Sequence, residues 1–155
     1  MKIESEIPFF SYEELLILAR KSVENKGEDY VYGKALAGDT CVYVDGGAPS
    51  CLVGDMLWTA NVIGPEFEEN YNNTEGVMAL LGGGVFSTDE TGEVFVHFLQ
   101  RLQDAQVPWG EAVELSSSNV AEVLKEPDLD KRVYKVANAI LAERRRRREN
   151  RLVET

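Results

Sequence analysis

Cysteine and histidine are scarce in this chain, with two cysteines and one histidine in 155 residues. That count rules out a disulfide scaffold, and the absence of paired Cys or His spacings leaves no zinc site and no cofactor to expect. No D-x-D-x-[DN]-G loop occurs, which removes a calcium hand. No G-x-x-x-x-G-K-[ST] and no strand-led G-x-G-x-x-G occurs either, so a phosphate cradle is not expected. No apolar run approaches the ~18 residues that a membrane span needs. The opening MKIESEIPFFSYEELL is acidic and lacks a long apolar stretch, so it does not read as a secretory signal. Positive charge is also sparse over most of the chain. Residues 1–142 hold 10 bases against 24 acids, net −14, and such a body repels nucleic acid and anionic membrane. A cytoplasmic location without a membrane partner is the expectation.

What is present is a chain of single-domain size, 44% hydrophobic and 28% charged, as an ordinary folded domain is. Ser11-Tyr12-Glu13-Glu14 has the S-x-x-E form of a capping box, with Phe10 and Leu15 placed as a hydrophobic staple. Tyr12, Leu15, Leu16, Ala19 and Val23 follow at helical spacing up to Gly27, which predicts a helix over 11–25. Tyr30–Tyr32 and Cys41–Val44 are β-branched and aromatic, and read as two short antiparallel strands joined by a loop. Asp45-Gly46-Gly47-Ala48-Pro49 breaks the second of them. Pro49 then suits the first turn of a helix carrying Leu52, Val53, Met56, Leu57 and Ala60, with Gly54 permitting close packing. Residues 66–73 read as a solvated acidic loop, and 75–81 as a short helix stopped by three glycines. Thr88 or Asp89 caps a helix bearing Val94, Phe95, Phe98, Leu99 and Leu102. Short helical pieces follow at 111–115 and 119–124. Asp128 then caps a long helix that reaches about Asn150 through five arginines.

Two of these segments together, VYVDGGAPSCLVGDML (42–57) and FLQRLQDAQVPWGEAVELS (98–116), with the elements before the first, carry a likeness. They resemble a group of small proteins from actinobacteria and their phages. In that group a Tyr-Val-x-x-Gly-x-Pro-x-Cys-Leu-Val-Gly stretch precedes a helix, and a Gln-Asp…Trp-Gly-x-Ala segment follows. The resemblance implies a phage or actinobacterial cytoplasmic protein and brings no activity with it. It does not extend to the arginine run.

Chemistry-bearing candidates are few. With Pro49 as the first helical position, Cys51 would sit in the first turn, where a helix dipole favours a thiolate; His97 as its base and Asp45 or Asp55 as orienter would complete a cysteine hydrolase. The plainer reading makes Cys41 and Cys51 two buried thiols and places His97 on an apolar helix edge. Glu66, Glu68, Glu69 and Glu75 form a solvated cluster or a docking surface for a basic partner. Trp58 falls off its helix stripe and, with Tyr71, is a candidate interface anchor, whereas Trp109 packs a helix connection. Arg144, Arg145, Arg146, Arg147 and Arg148 point all around a helix. Glu143–Arg147 and Arg145–Glu149 are spaced as i,i+4 pairs. This run suits a solvated helix end, a protein partner or second copy, or the phosphates of a nucleic acid.

The fold expected is α+β, an α-rich single domain with a small antiparallel β-hairpin and a long C-terminal helix. It divides into an acidic globular part, 1–142, and a basic helical extension, 143–155, whose net charge is +3. The function expected is a non-enzymatic protein-interaction module, phage-encoded, binding a host or phage protein in the host cytoplasm and self-associating through its last helix. A nucleic-acid-associated protein using Arg144–Arg148 and a cysteine hydrolase using Cys51 and His97 are the alternatives.

Overall fold

A computed structural model of the chain describes residues 6–33, 42–125 and 129–154. Its centre is a helix that faces every other large helix. This helix, α4 (Glu90–Asp104), packs against α1 (Tyr12–Lys26), α2 (Leu52–Thr59), α3 (Val77–Gly82), α5 (Trp109–Val123) and α6 (Leu129–Glu154). Val94, Phe95, Val96, Phe98, Leu99 and Leu102 are all buried, so α4 turns a wide apolar face to the core and keeps Glu90, Glu93, His97, Arg101 and Asp104 along a narrower, less buried strip. The sequence pattern showed only one of its faces.

Strands are small and few. β1 (Phe9–Phe10) pairs in parallel with β4 (Ser87–Thr88), and β2 (Val44–Asp45) pairs antiparallel with β3 (Ala48–Pro49). The α-rich α+β class with a small antiparallel hairpin and a long last helix is therefore the fold of this chain. The hairpin lies elsewhere than expected. Tyr30–Tyr32 form no strand, and residues 34–41 lie outside the described residues. The hairpin turn is Gly46-Gly47, with φ of +62° and +77°, the left-handed geometry that a two-residue turn needs. Thus the residues read as a strand breaker are the turn itself. Glu68 accepts both turn N–H groups, at 3.2 Å from Gly46 and 2.9 Å from Gly47.

Helix starts show how the pieces are held. Ser11 caps α1 by the predicted capping box, with Glu14 N–H donating to Ser11 Oγ and Ser11 N–H to the Glu14 carboxylate. Asp89 caps α4 through Gly92 N–H and also accepts Tyr12 N–H, tying the starts of α1 and α4 together. The other three described helix starts are served from a distance. Gln103 Oε1 accepts Leu52 N–H at the start of α2 at 2.7 Å, and Gln100 Oε1 accepts Val77 N–H at the start of α3 at 2.8 Å. The carbonyls of Tyr30 and Glu28 accept Trp109 and Gly110 N–H at the start of α5. Tyr30, the first residue of an expected strand, thus spends its carbonyl as a helix cap.

Residues 65–74 are not a loop. They form two 3-10 turns, Pro65–Glu69 and Tyr71–Thr74, with Phe67, Asn72 and Asn73 buried. Asn73 holds Val44 by both its backbone groups, donating to the carbonyl and accepting the N–H at 2.9 Å each. The pieces expected at 111–115 and 119–124 are one helix, α5; Asn119 caps nothing and donates to the Leu115 carbonyl inside it. Asp128, the expected cap of α6, lies outside the described residues.

Gly54 does what its position on α2 suggested. A Cβ there would lie 2.7 Å from Tyr43 Cα and closer still to the Tyr43 carbonyl oxygen. Gly54→Ala is expected to lower stability by about 2–4 kcal/mol in urea titration, because backbone rather than a flexible side chain must yield. Gln103→Ala strands the buried Leu52 N–H, and the same titration should show a loss of about 2–3 kcal/mol.

Candidate functional site

Cys51 is the N-cap of α2, not a residue of its first turn, since the helix begins at Leu52 and Pro49 belongs to β3. It is fully buried, and its sulfur is engaged in a disulfide. The expectation of a buried thiol is therefore corrected to a bonded sulfur, which is no nucleophile in this state. The only other cysteine of the sequence, Cys41, lies outside the described residues. His97 is on α4 and faces a different place, a cleft of about 310 Å³ between α4, α6 and the start of α3. Its ring meets Tyr134 edge-on at 5.5 Å. Asp55 does not orient it: this carboxylate is buried and accepts from Ser22 Oγ at 2.6 Å.

The same cleft contains two charged groups that the sequence did not single out. Arg101 stacks its guanidinium 5.5 Å from the Tyr134 ring and donates to Asn138 at 2.9 Å, joining α4 to α6. Asp104 accepts from Gln103 at 2.8 Å. Burial pushes the Asp104 carboxyl up to about 6, with the Gln103 hydrogen bond and Arg101 opposing the shift. Deeper in, Gln100 donates to the Tyr43 hydroxyl, which donates in turn to the Glu75 carbonyl at 2.8 Å. Burial raises the Tyr43 phenol well above its ordinary value, so it remains a donor throughout the neutral range.

Of the aromatic candidates, Tyr71 is 79% exposed and Trp58 is half-buried against the core. Trp58 is thus only in part available as an anchor. Trp109 is fully buried and packs edge-on against Tyr30 at 4.6 Å, as a residue closing a helix connection does. The acidic cluster is partly structural, since Glu68 is spent on the hairpin turn. Asn72, within the Asn72-Asn73-Thr74 triplet, is buried.

The arginine run resolves into unequal members. α6 has 26 residues against 15 in each of α4 and α5, so its last turns run beyond them. Arg144 makes a two-pronged contact with Glu111 of α5, Nε and Nη2 each 2.9 Å from a carboxylate oxygen. Glu143 holds both Arg146 and Arg147, and these bonds depress its carboxyl below the ordinary value. The Glu143–Arg147 pair was predicted from spacing; the Arg145–Glu149 pair is absent. Arg145 and Arg148 have no ion pair or hydrogen bond among the described residues. With Leu141 and Ala105 they border a recess of about 150 Å³.

Above that recess, α5 and α6 enclose a groove of about 620 Å³. Leu115, Val136, Ala139 and Ile140 make its floor, and its charged border is Glu122, Lys135 and the paired groups Glu111–Arg144 and Glu143–Arg147. Sequence reasoning missed this groove. Its signal is the recurrence of Glu111, Leu115, Asn119 and Glu122 on one helical face, visible only when 109–123 is read as a single helix.

Among the described residues no group of three or more His, Cys, Asp or Glu is arranged to hold a metal ion, and no helix is long and apolar enough to cross a membrane. Comparison with known protein families, curated proteins and solved structures finds no match for this chain.

The raised Asp104 carboxyl has a definite sign. Between its unfolded value near 4 and its folded value of about 6, the native state holds the extra proton, so its contribution falls as pH rises through that window. Asp104→Asn should therefore stabilise at pH 8 by about 1–2 kcal/mol, allowing for its partial exposure, and change little at pH 4. Urea titrations of the two proteins at both pH values check this.

Proposed function

We propose that this chain is a non-enzymatic protein-interaction module that engages an acidic segment of a partner through the projecting end of α6. The observation that carries this reading is the pair Arg145 and Arg148, which share one side of the helix with Leu141 and have no carboxylate partner among the described residues. Unneutralised guanidiniums beside an apolar recess suit a partner carrying carboxylates next to an aliphatic side chain. In the phage context that the sequence resemblance implies, the partner is a host or phage protein met in the host cytoplasm.

Two observations favour this over the alternatives. Three of the five consecutive arginines are already occupied by Glu111 and Glu143. A pair of unoccupied arginines answers about two phosphates, against the 6–10 contacts typical of a strong nucleic-acid binder, and the rest of the chain is strongly acidic. For the hydrolase, the buried and bonded sulfur of Cys51 leaves His97 no thiol to activate.

The test is affinity capture from host lysate under nuclease, comparing the natural chain with Arg145→Glu/Arg148→Glu. A nuclease-resistant stoichiometric protein that the double reversal weakens at least about tenfold is the expected result. Arg146→Ala/Arg147→Ala, which removes arginines already paired, should weaken it far less. Material that disappears with nuclease, and with a rise from about 50 to about 200 mM salt, would replace this reading with the nucleic-acid one.

A further inference from the structure

The cleft between α4, α6 and the start of α3 holds two opposite charges that the fold leaves unneutralised. Arg101 and Asp104 both line it and stand three residues apart on α4, a spacing at which opposite charges on a helix can pair. They form no ion pair with each other or with any described residue. Each is held by a neutral group instead. Asn138 is the one hydrogen-bond acceptor of the Arg101 guanidinium among the described residues, and the cation lies over the Tyr134 ring. Arg101 Nε is buried with no acceptor at all. Asp104 accepts from Gln103 at one oxygen, and its second oxygen has no donor among the described residues. It is also the last residue of α4, where the helix dipole opposes a carboxylate. Both side chains are partly buried, so the missing counter-charges cost stability. Charges kept together in a cleft at such a cost mark a place where a ligand supplies what the chain does not.

We propose that this cleft binds a small zwitterion, its carboxylate held by Arg101 and its ammonium by Asp104, with an apolar substituent against Met78 and Tyr134. The charges select the class. An anion alone would gain Arg101 and face the Asp104 carboxylate; a cation alone would gain Asp104 and face the guanidinium. Either exchanges one attraction for one repulsion, whereas a ligand with both heads satisfies the two together. An α-amino acid carries both heads on one carbon, which suits two charges one helical turn apart. Met78 and Tyr134 are exposed and line the same cleft, and a thioether beside an aromatic ring offers an apolar wall that adapts to its guest. The other polar groups of the cleft are engaged. Gln100 spends its amide on the Tyr43 hydroxyl and its carbonyl on Val77 N–H, and the His97 ring packs on Tyr134. The volume of about 310 Å³ is at the small end of the ~300–1,000 Å³ found for small-molecule sites, in keeping with a ligand of amino-acid size.

This inference does not depend on the arginine-mediated reading above, and the two can fail separately. Three probes test it on the full chain at pH 8, where Asp104 is ionised. L-Phenylalanine has both heads, 3-phenylpropionate keeps only the carboxylate, and phenethylamine keeps only the ammonium. Followed by amide NMR shifts, L-phenylalanine should saturate with a Kd of about 1 mM, moving Val77, Met78, His97, Arg101 and Tyr134. Each single-headed probe should bind at least about tenfold more weakly, having lost one charge-assisted hydrogen bond. Asp104→Asn, which folds at least as well at this pH by the argument above, should weaken L-phenylalanine about tenfold and tighten 3-phenylpropionate, since the repelling carboxylate is gone. Arg101→Gln should weaken both. Should that variant fail to fold, because Arg101 ties α4 to α6, Asp104→Asn still decides the matter. Arg145→Glu/Arg148→Glu should leave all three affinities unchanged. No shift at about 10 mM L-phenylalanine overturns the proposal. So do three probes that bind alike, or an Asp104→Asn chain that binds L-phenylalanine as the natural one does.

Discussion

Two buried glutamines one turn apart on α4 decide how the rest of the domain assembles. Gln100 and Gln103 each offer a carbonyl to a helix start that has no cap of its own, and each spends its amide on a further partner, the Tyr43 hydroxyl or the Asp104 carboxylate. An uncapped helix start leaves several N–H groups bare, and burying them unpaired costs more than a typical hydrogen bond returns. In this domain α2 and α3 therefore exist as buried elements only when seated on α4. The same geometry brings Tyr43 and the β2–β3 hairpin onto the core through Gln100, and Gly54 of α2 touches the Tyr43 backbone beside it. A single helix thus serves as both the apolar centre and the polar template.

That dependence explains which elements the amino-acid order revealed. α1 and α4 bring their own caps, Ser11 and Asp89, so their starts could be placed to within a residue. α2, α3 and α5 begin where a distant group accepts their N–H. The first was expected at Pro49 and starts at Leu52; the second was expected at Glu75 and starts at Val77; the third was expected at Glu111 and starts at Trp109. Local chemistry marks a helix end only when the cap is local. The parallel contact of β1 with β4 was equally hidden, since two-residue strands paired 78 positions apart leave no pattern in either segment.

The site was readable to a similar depth. The arginine run announced itself, and the i,i+4 rule found the Glu143–Arg147 pair. It could not find Glu111, which reaches Arg144 from 33 residues away and turns a uniform run into occupied and unoccupied members. Tyr71 is exposed as an anchor should be, whereas Trp58 leans on the core because α2 is buried on more faces than its stripe of Leu52, Met56 and Ala60 indicated. His97 drew notice as a partner for Cys51, yet it belongs with Tyr134, Arg101 and Asp104, groups brought together by the packing of α4 on α6.

The position of the template helix also has a consequence for how the chain is made. Residues emerge from a ribosome in order, at about 5–20 per second. The β2–β3 hairpin, α2 and α3 are all synthesised before the glutamines that hold them, so the starts of α2 and α3 lack their partners until α4 emerges, although α1 and α2 can already pack on each other. α4 then arrives and closes several contacts at once. A chain halted before Asp104 therefore keeps the starts of α2 and α3 without their hydrogen-bond partners, and the core around α4 closes only when α5 and α6 follow it.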